Sequence, residues 1–165
     1  MSNTKGMAWA GLQRELELVL SVFEEDQMLI LQRRGTGRYV QLYVSDPEDL
    51  HIEASSNTFL KQDDALDDWQ VAALLERGWK APSKSKGGSP NFFAKLKGPK
   101  AREQAVRLTV QTLAEILGAG SPADLEYDAF EKRGGRITLP PLRLGRMRRG
   151  ADAREGGDHS PNAAG

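Results

Sequence analysis

The chain has 165 residues with 39% apolar and 28% charged content, which predicts one globular domain with its own core. It has no cysteine, which excludes a disulfide framework, a thiolate zinc site and a cysteine nucleophile. Its apolar runs are far shorter than the roughly 18 residues of a membrane span, and its first residues lack the apolar region of a signal peptide, so we expect a cytoplasmic protein without membrane insertion.

The first half of the chain predicts a helix followed by three strands. Apolar residues recur at steps of three and four from Met7 to about Glu25, which indicates a helix with one buried face. Strands are predicted over 27–34, 38–45 and 50–55, the first of them well buried because of its continuous apolar run. Alternation in the second and third strands directs one set of side chains towards the first and third helices: Val40, Leu42, Val44 and Ile52. The opposite, polar face carries Tyr39, Gln41, Tyr43, His51 and Glu53.

The second half predicts two further helices and one or two strands between them. Asp64 is the expected N-cap of a helix over about 65–77, whose inner stripe is Leu66, Trp69, Ala73 and Leu74. Phe59 and Leu60 are expected to turn inward just before it. A short strand at 79–82, a strand at 91–97 and a third helix from Pro99 to about Leu117 follow, and 122–130 forms a last short strand or helical turn.

These elements predict an α+β fold with an antiparallel sheet of about four to five strands and helices on one face. The expected order is α-β-β-β-α-β-β-α, with a domain over 7–131 and a basic, largely disordered tail over 132–165. The tail carries eight basic and three acidic residues, a net charge of +5, and the first 131 residues carry −5. Such an acidic body favours basic partners, whereas nucleic acid would bind only through the tail arginines: Arg143, Arg146, Arg148 and Arg149.

No motif in the sequence indicates catalysis, a cofactor or a metal. Two histidines, His51 and His159, are too few for a metal cluster. The short glycine pairs lack the lysine and serine or threonine of a phosphate loop, and no nucleophile elbow occurs. We therefore expect no enzyme, no cofactor and no catalytic or metal-binding residue, and we interpret His51 as a surface hydrogen-bonding partner of Glu53.

Several short stretches carry a resemblance to a known group of proteins. They are Tyr39-Val40-Gln41-Leu42, the segment 52–57 with Phe59-Leu60, Gly78-Trp79 with Pro82, and 125–130. Together with the element order, they resemble the bacterial type III secretion chaperones (CesT-like) and the related YbjN and actinobacterial chaperone-like families over residues 7–131.

The resemblance implies a monomer or homodimer that holds an extended segment of a client polypeptide without ATP. Apolar patches and exposed strand edges would make the contacts. The candidate peptide-binding residues are Tyr39, Gln41, Tyr43, His51, Glu53, Trp79 and Phe92.

Two other functions remain open on the sequence alone. A toxin-neutralising immunity protein would also be small, acidic and free of catalytic motifs, and it would have a single tight partner. A nucleic-acid-associated regulator would act through the arginine-rich tail, and its binding would be sensitive to salt.

Overall fold

The computed structural model describes residues 2–46 and 48–147. Three α-helices and six strands follow one another along this part of the chain. Their bounds are α1 Ser2–Val22, β1 Gln27–Arg33, β2 Tyr39–Asp46, β3 Asp49–Ala54, α2 Asp68–Glu76, β4 Phe92–Lys97, α3 Ala101–Gln111, β5 Leu125–Glu131 and β6 Gly145–Arg146. Short 3₁₀ turns occupy Gln62–Asp64 and Pro122–Asp124, and a π-helical turn at Thr112–Ile116 extends α3.

The six strands form one sheet in the order β4-β3-β2-β1-β5-β6. All neighbours are antiparallel except β5 and β6, which run parallel, so the sheet is mixed. The α+β class is confirmed. Two details differ from the expected order, because Lys80 makes a single bridge to Phe93 instead of a strand and β6 follows β5.

The core lies between the sheet and its helices. Val40, Leu42, Val44 and Ile52 are fully buried, as their alternation predicts. Helix α1 packs against α3, which also contacts β3 and β4. The helices therefore cover one face of the sheet, as predicted.

Strand β1 differs from the predicted well-buried strand. Leu29 and Leu31 are fully buried, whereas Met28 and Ile30 are partly exposed on the other face. The apolar run therefore serves both faces of the sheet, and its second set of side chains lies outside the core.

The region before α2 requires three corrections. The helix begins after Asp67, whose side chain accepts a hydrogen bond from the Gln70 backbone N–H at 2.8 Å. Asp64 instead accepts one from the Gly37 backbone N–H at 2.9 Å, so it fastens the β1–β2 turn. Trp69 and Phe59 were expected to face inward, but they are 64% and 61% exposed. Near helix ends the apolar period is short, and contacts from outside the helix decide which side is covered.

The ordered structure continues past the boundary predicted at residue 131, as far as Met147. The chain turns after β5, and Arg136 bridges Phe130. Leu139 and Leu142 are buried in the core. The Met147 backbone N–H then donates to the Tyr127 carbonyl at 2.7 Å. The rest of the predicted tail, 148–165 with Arg148 and Arg149, lies outside the described residues.

Candidate functional site

The sheet has a second face that the helices leave uncovered. Cross-strand pairing brings three side chains from each of five strands onto it. We call this surface the open face, and it consists of Met28, Ile30, Gln32, Tyr39, Gln41, Tyr43, Asp49, His51, Glu53, Phe93, Lys95, Lys97, Glu126, Asp128 and Phe130. None of its apolar members belongs to the core. Most are partly exposed, whereas Phe93 and Asp128 are buried within the face.

Five of the seven predicted binding residues lie together on the open face. They are Tyr39, Gln41, Tyr43, His51 and Glu53. Trp79 and Phe92 are only 2% and 4% exposed and belong to the core. The Trp79 indole N–H donates to the Thr112 hydroxyl at 2.9 Å, which accounts for the only polar atom of its side chain.

The sequence analysis missed the apolar members of the open face. Met28 pairs with Tyr43 on one side and with Phe130 on the other, and Ile30 lies between Gln41 and Asp128. A run of four apolar residues in a strand places apolar groups on both faces, so Met28 and Ile30 carried a readable signal. Phe130 did not, because its position depends on β5 pairing with β1 across about 100 residues of sequence.

A hydrogen-bonded polar network occupies the β3 side of the open face. Glu53 is its centre: Oε2 lies 2.9 Å from His51 Nε2, and Oε1 accepts from the Ser89 hydroxyl at 2.8 Å. The Asn91 amide donates to Glu53 Oε1 at 3.1 Å and to the Tyr39 hydroxyl at 2.9 Å. The expected His51–Glu53 pair is therefore present, and it also fastens the loop before β4 to the sheet.

The network changes the acidity of two of its members. The hydrogen bond from His51 lowers the pKa of Glu53; burial opposes this change, and the Asn91 and Ser89 bonds support it. Burial raises the pKa of Tyr39, against the Asn91 hydrogen bond and together with the charge of Glu53. The carboxyl group is thus held ionised and the phenol neutral.

Tyr43 is anchored separately, at the β1 side of the open face. Its hydroxyl donates to Asp26 Oδ1 at 2.8 Å, and this bond is the main cause of a raised pKa, followed by burial and by the charges of Asp26 and Glu25. The Lys132 ammonium lies 6.0 Å from the centre of the Tyr43 ring. The phenol is therefore a fixed neutral group that presents the face of its ring.

The described part of the chain offers little for metal or membrane binding. No three His, Asp or Glu side chains in residues 2–46 and 48–147 are placed to hold a metal ion. Over the same residues, no helix combines the length and the apolar composition needed to cross a bilayer. What the open face does provide is partly exposed apolar side chains next to fixed hydrogen-bonding groups.

The two edges of the sheet are treated differently. The outer edge of β5 is covered by the chain itself, through Arg136–Ile137 and β6. The outer edge of β4 meets only Lys80, which pairs with Phe93. An extended polypeptide can pair with a strand only where the backbone groups are unpaired, so β4 is the accessible edge.

The two described tail arginines contact the protein itself. The Arg143 backbone N–H donates to Glu15 Oε1 at 2.8 Å. The Arg146 guanidinium donates to the Ile137 carbonyl at 2.9 Å and lies 5.7 Å from the centre of the Tyr127 ring. The charge of Arg146 is therefore engaged within the fold.

Comparison with known proteins supplies the family. A family model described as "TY-Chap3: T3SS (YopN, CesT) and YbjN peptide-binding chaperone 3" matches residues 3–131, from α1 to the end of β5. Searches of curated proteins and of solved structures give no match. The matched region includes the helix-covered sheet and all of its open face, and the chain belongs to this family of peptide-binding chaperones.

Proposed function

We propose that this protein is a non-enzymatic, cytoplasmic chaperone-like protein that holds an extended segment of a client polypeptide against the open face, without nucleotide. The observation that carries the proposal is the composition of that face. Met28, Ile30 and Phe130 form an apolar strip beside the hydrogen-bonded groups of Tyr39 and Glu53. Family membership supports a polypeptide as the ligand.

The physical basis is burial on a surface that is already ordered. A client side chain that covers Ile30 or Met28 removes apolar area from water, worth about 25 cal/mol per Å². The sheet and the Glu53 network fix the surrounding groups before binding, so little conformational entropy is lost on the chaperone side. A flat, ordered surface of this kind holds a chain without requiring any bond to be made or broken.

We expect Ile30→Ser to weaken the binding of apolar extended peptides about tenfold, since it removes apolar contact area worth about 1.4 kcal/mol. Binding of fluorescent peptides to the full chain, followed by anisotropy, measures the change. The matched control is Leu18→Ser, which removes another partly exposed apolar side chain, 59% exposed on α1.

The two variants separate the open face from general surface stickiness. Circular dichroism establishes that each variant keeps its fold. Equal weakening by both substitutions, or no binding of any peptide by the unaltered chain, would contradict the proposal.

A further inference from the structure

The charge of the folded body is divided between two regions. Residues 80–100 contain six lysines and no acidic residue: Lys80, Lys84, Lys86, Lys95, Lys97 and Lys100. The rest of the first 131 residues carries nine basic and twenty acidic residues. A net charge of −5 for the whole body therefore hides a strongly basic segment within an acidic molecule.

This basic segment surrounds the accessible edge of the sheet. Lys95 and Lys97 are alternate residues of β4, so both project onto the open face. The loop before β4 returns to the same place, because a Cβ atom added to Gly87 would lie 3.4 Å from the Lys95 ammonium nitrogen. All six lysines are exposed. Within the described residues, none of their ammonium groups has a salt bridge or hydrogen bond.

Backbone groups at the same edge are also unpaired. Phe93 exchanges two backbone hydrogen bonds with Lys80, at 2.7 and 3.1 Å, on the side away from β3. Because the pattern alternates along an antiparallel strand, the N–H and C=O groups of Lys95 and Lys97 point the same way. No backbone partner for them occurs in the described part of the chain.

We propose that the outer edge of β4 accepts an acidic extended segment of a client protein as an additional strand. The inference rests on the proposed function and specifies its place and its charge. Main-chain hydrogen bonds to Lys95 and Lys97 hold the added strand, and its alternate carboxylates face the two ammonium groups. The expectation of a basic client, which came from net charge alone, is thereby replaced by a local one.

Other occupants fit this edge less well. A second copy paired through β4 would bring lysines against lysines, and edge lysines oppose such pairing. Single-stranded nucleic acid favours exposed aromatic rings for stacking, but Phe93, the aromatic residue of β4 on the open face, is only 6% exposed. The tail of this chain carries a net charge of +5, so it is repelled.

The test uses the full chain and three fluorescent peptides with the same alternating valine pattern. Their other positions are all Glu, all Gln or all Lys, and anisotropy is measured at low and at physiological salt. We expect the Glu peptide to bind most tightly and to lose affinity as salt rises. Lys95→Glu with Lys97→Glu should weaken its binding at least tenfold. The control, Arg14→Glu with Lys61→Glu, changes net charge equally at exposed sites away from β4 and should change binding less than threefold.

A second pair of variants separates the backbone from the charge. Lys95→Gln removes the ammonium group, whereas Lys95→Pro also removes the outward N–H, which is not part of the ladder with β3. Strand addition predicts that Lys95→Pro binds the Glu peptide several-fold more weakly than Lys95→Gln. Thermal melting shows whether the proline variant is folded, and the charge variants test the proposal even if it is not.

Each alternative has its own signature. Equal affinity for the three peptides would overturn the inference and leave the proposed function standing, whereas no binding of any peptide would overturn both. A single-stranded oligonucleotide that binds more tightly than the Glu peptide, with Lys95→Pro equal to Lys95→Gln, would assign the edge to nucleic acid. A dimer seen by analytical ultracentrifugation and abolished by Lys95→Pro would assign it to a second copy.

Discussion

At the scale of the residue, Glu53 is the most connected side chain of the open face. It lies next to the exposed side of the molecule, yet His51, Ser89 and Asn91 all hydrogen-bond to it. Its side chain is 19% exposed. A carboxylate in this position is held ionised by its partners and, by holding Ser89 and Asn91, fixes the loop that leads into β4.

Glu53→Gln should lower the free energy of unfolding by about 1 kcal/mol at pH 7, because charge-assisted hydrogen bonds are replaced by weaker ones. The folded pKa of Glu53 lies below its unfolded value of about 4.3. The stabilisation is therefore complete above that unfolded value and is lost as the pH falls through the folded pKa. Urea denaturation at neutral and at acid pH measures the difference.

The control for this prediction is Glu126→Gln, also on the open face, for which no side-chain hydrogen bond is found in the described structure. It should change stability by less than about 0.5 kcal/mol. A difference between Glu53→Gln and the unaltered protein that stayed constant down to strongly acid pH would refute the electrostatic explanation.

At the scale of the element, α2 shows how a short helix is defined by its start. Asp67 and Gln70 exchange hydrogen bonds between side chain and backbone at 2.8 and 2.9 Å, which is a capping box. The Gln70 side-chain amide also donates to the Ile116 carbonyl at 2.8 Å, so the cap ties α2 to the end of α3. With only Leu74 fully buried in a helix of 9 residues, much of its position depends on these bonds.

Asp67→Ala should therefore destabilise the protein by about 1 kcal/mol, the usual value of an N-cap. Chemical denaturation, with the change in midpoint converted by the common slope, provides the measurement. Asp63→Ala is the matched control, since Asp63 is exposed and makes no hydrogen bond through its side chain in the described structure. Equal effects of the two substitutions would show that the aspartates act only through general charge.

At the scale of the whole molecule, the segment from Arg136 to Met147 completes the sheet. It covers the edge of β5 and contributes Leu139 and Leu142 to the core, at 7% and 5% exposed. It leaves β4 as the accessible edge. One side of the sheet is thus closed by the chain's own residues, and the other is available to a partner.

A chain that ends at Glu131 should be less stable than one that ends at Met147, by roughly 3 to 6 kcal/mol, because the burial of two leucines is lost. It should also aggregate more readily, since the β5 edge becomes unpaired. Urea unfolding and light scattering measure the two effects. The chain that ends at Met147 is the control, because it keeps every contact described here; equal unfolding midpoints would contradict the role of the segment.

The sequence by itself determined the elements and the faces of β2 and β3. Alternation from Tyr39 to Val44 separates the two faces of a strand with no other information, because the side-chain direction reverses at every residue. The three helices were recognisable for the same reason, through their period of three to four residues. This local pattern was enough to bring together Tyr39, Gln41, Tyr43, His51 and Glu53.

Only the tertiary structure decided what lies beside these residues. The pairing of Met28 with Phe130, the burial of Leu139 and the approach of the loop at Gly87 to Lys95 join positions far apart or without a local period. Such contacts depend on the order of the strands, which no single segment encodes. The same is true of charge: composition gives an acidic body, whereas strand order places its lysines at the one edge that another chain can reach.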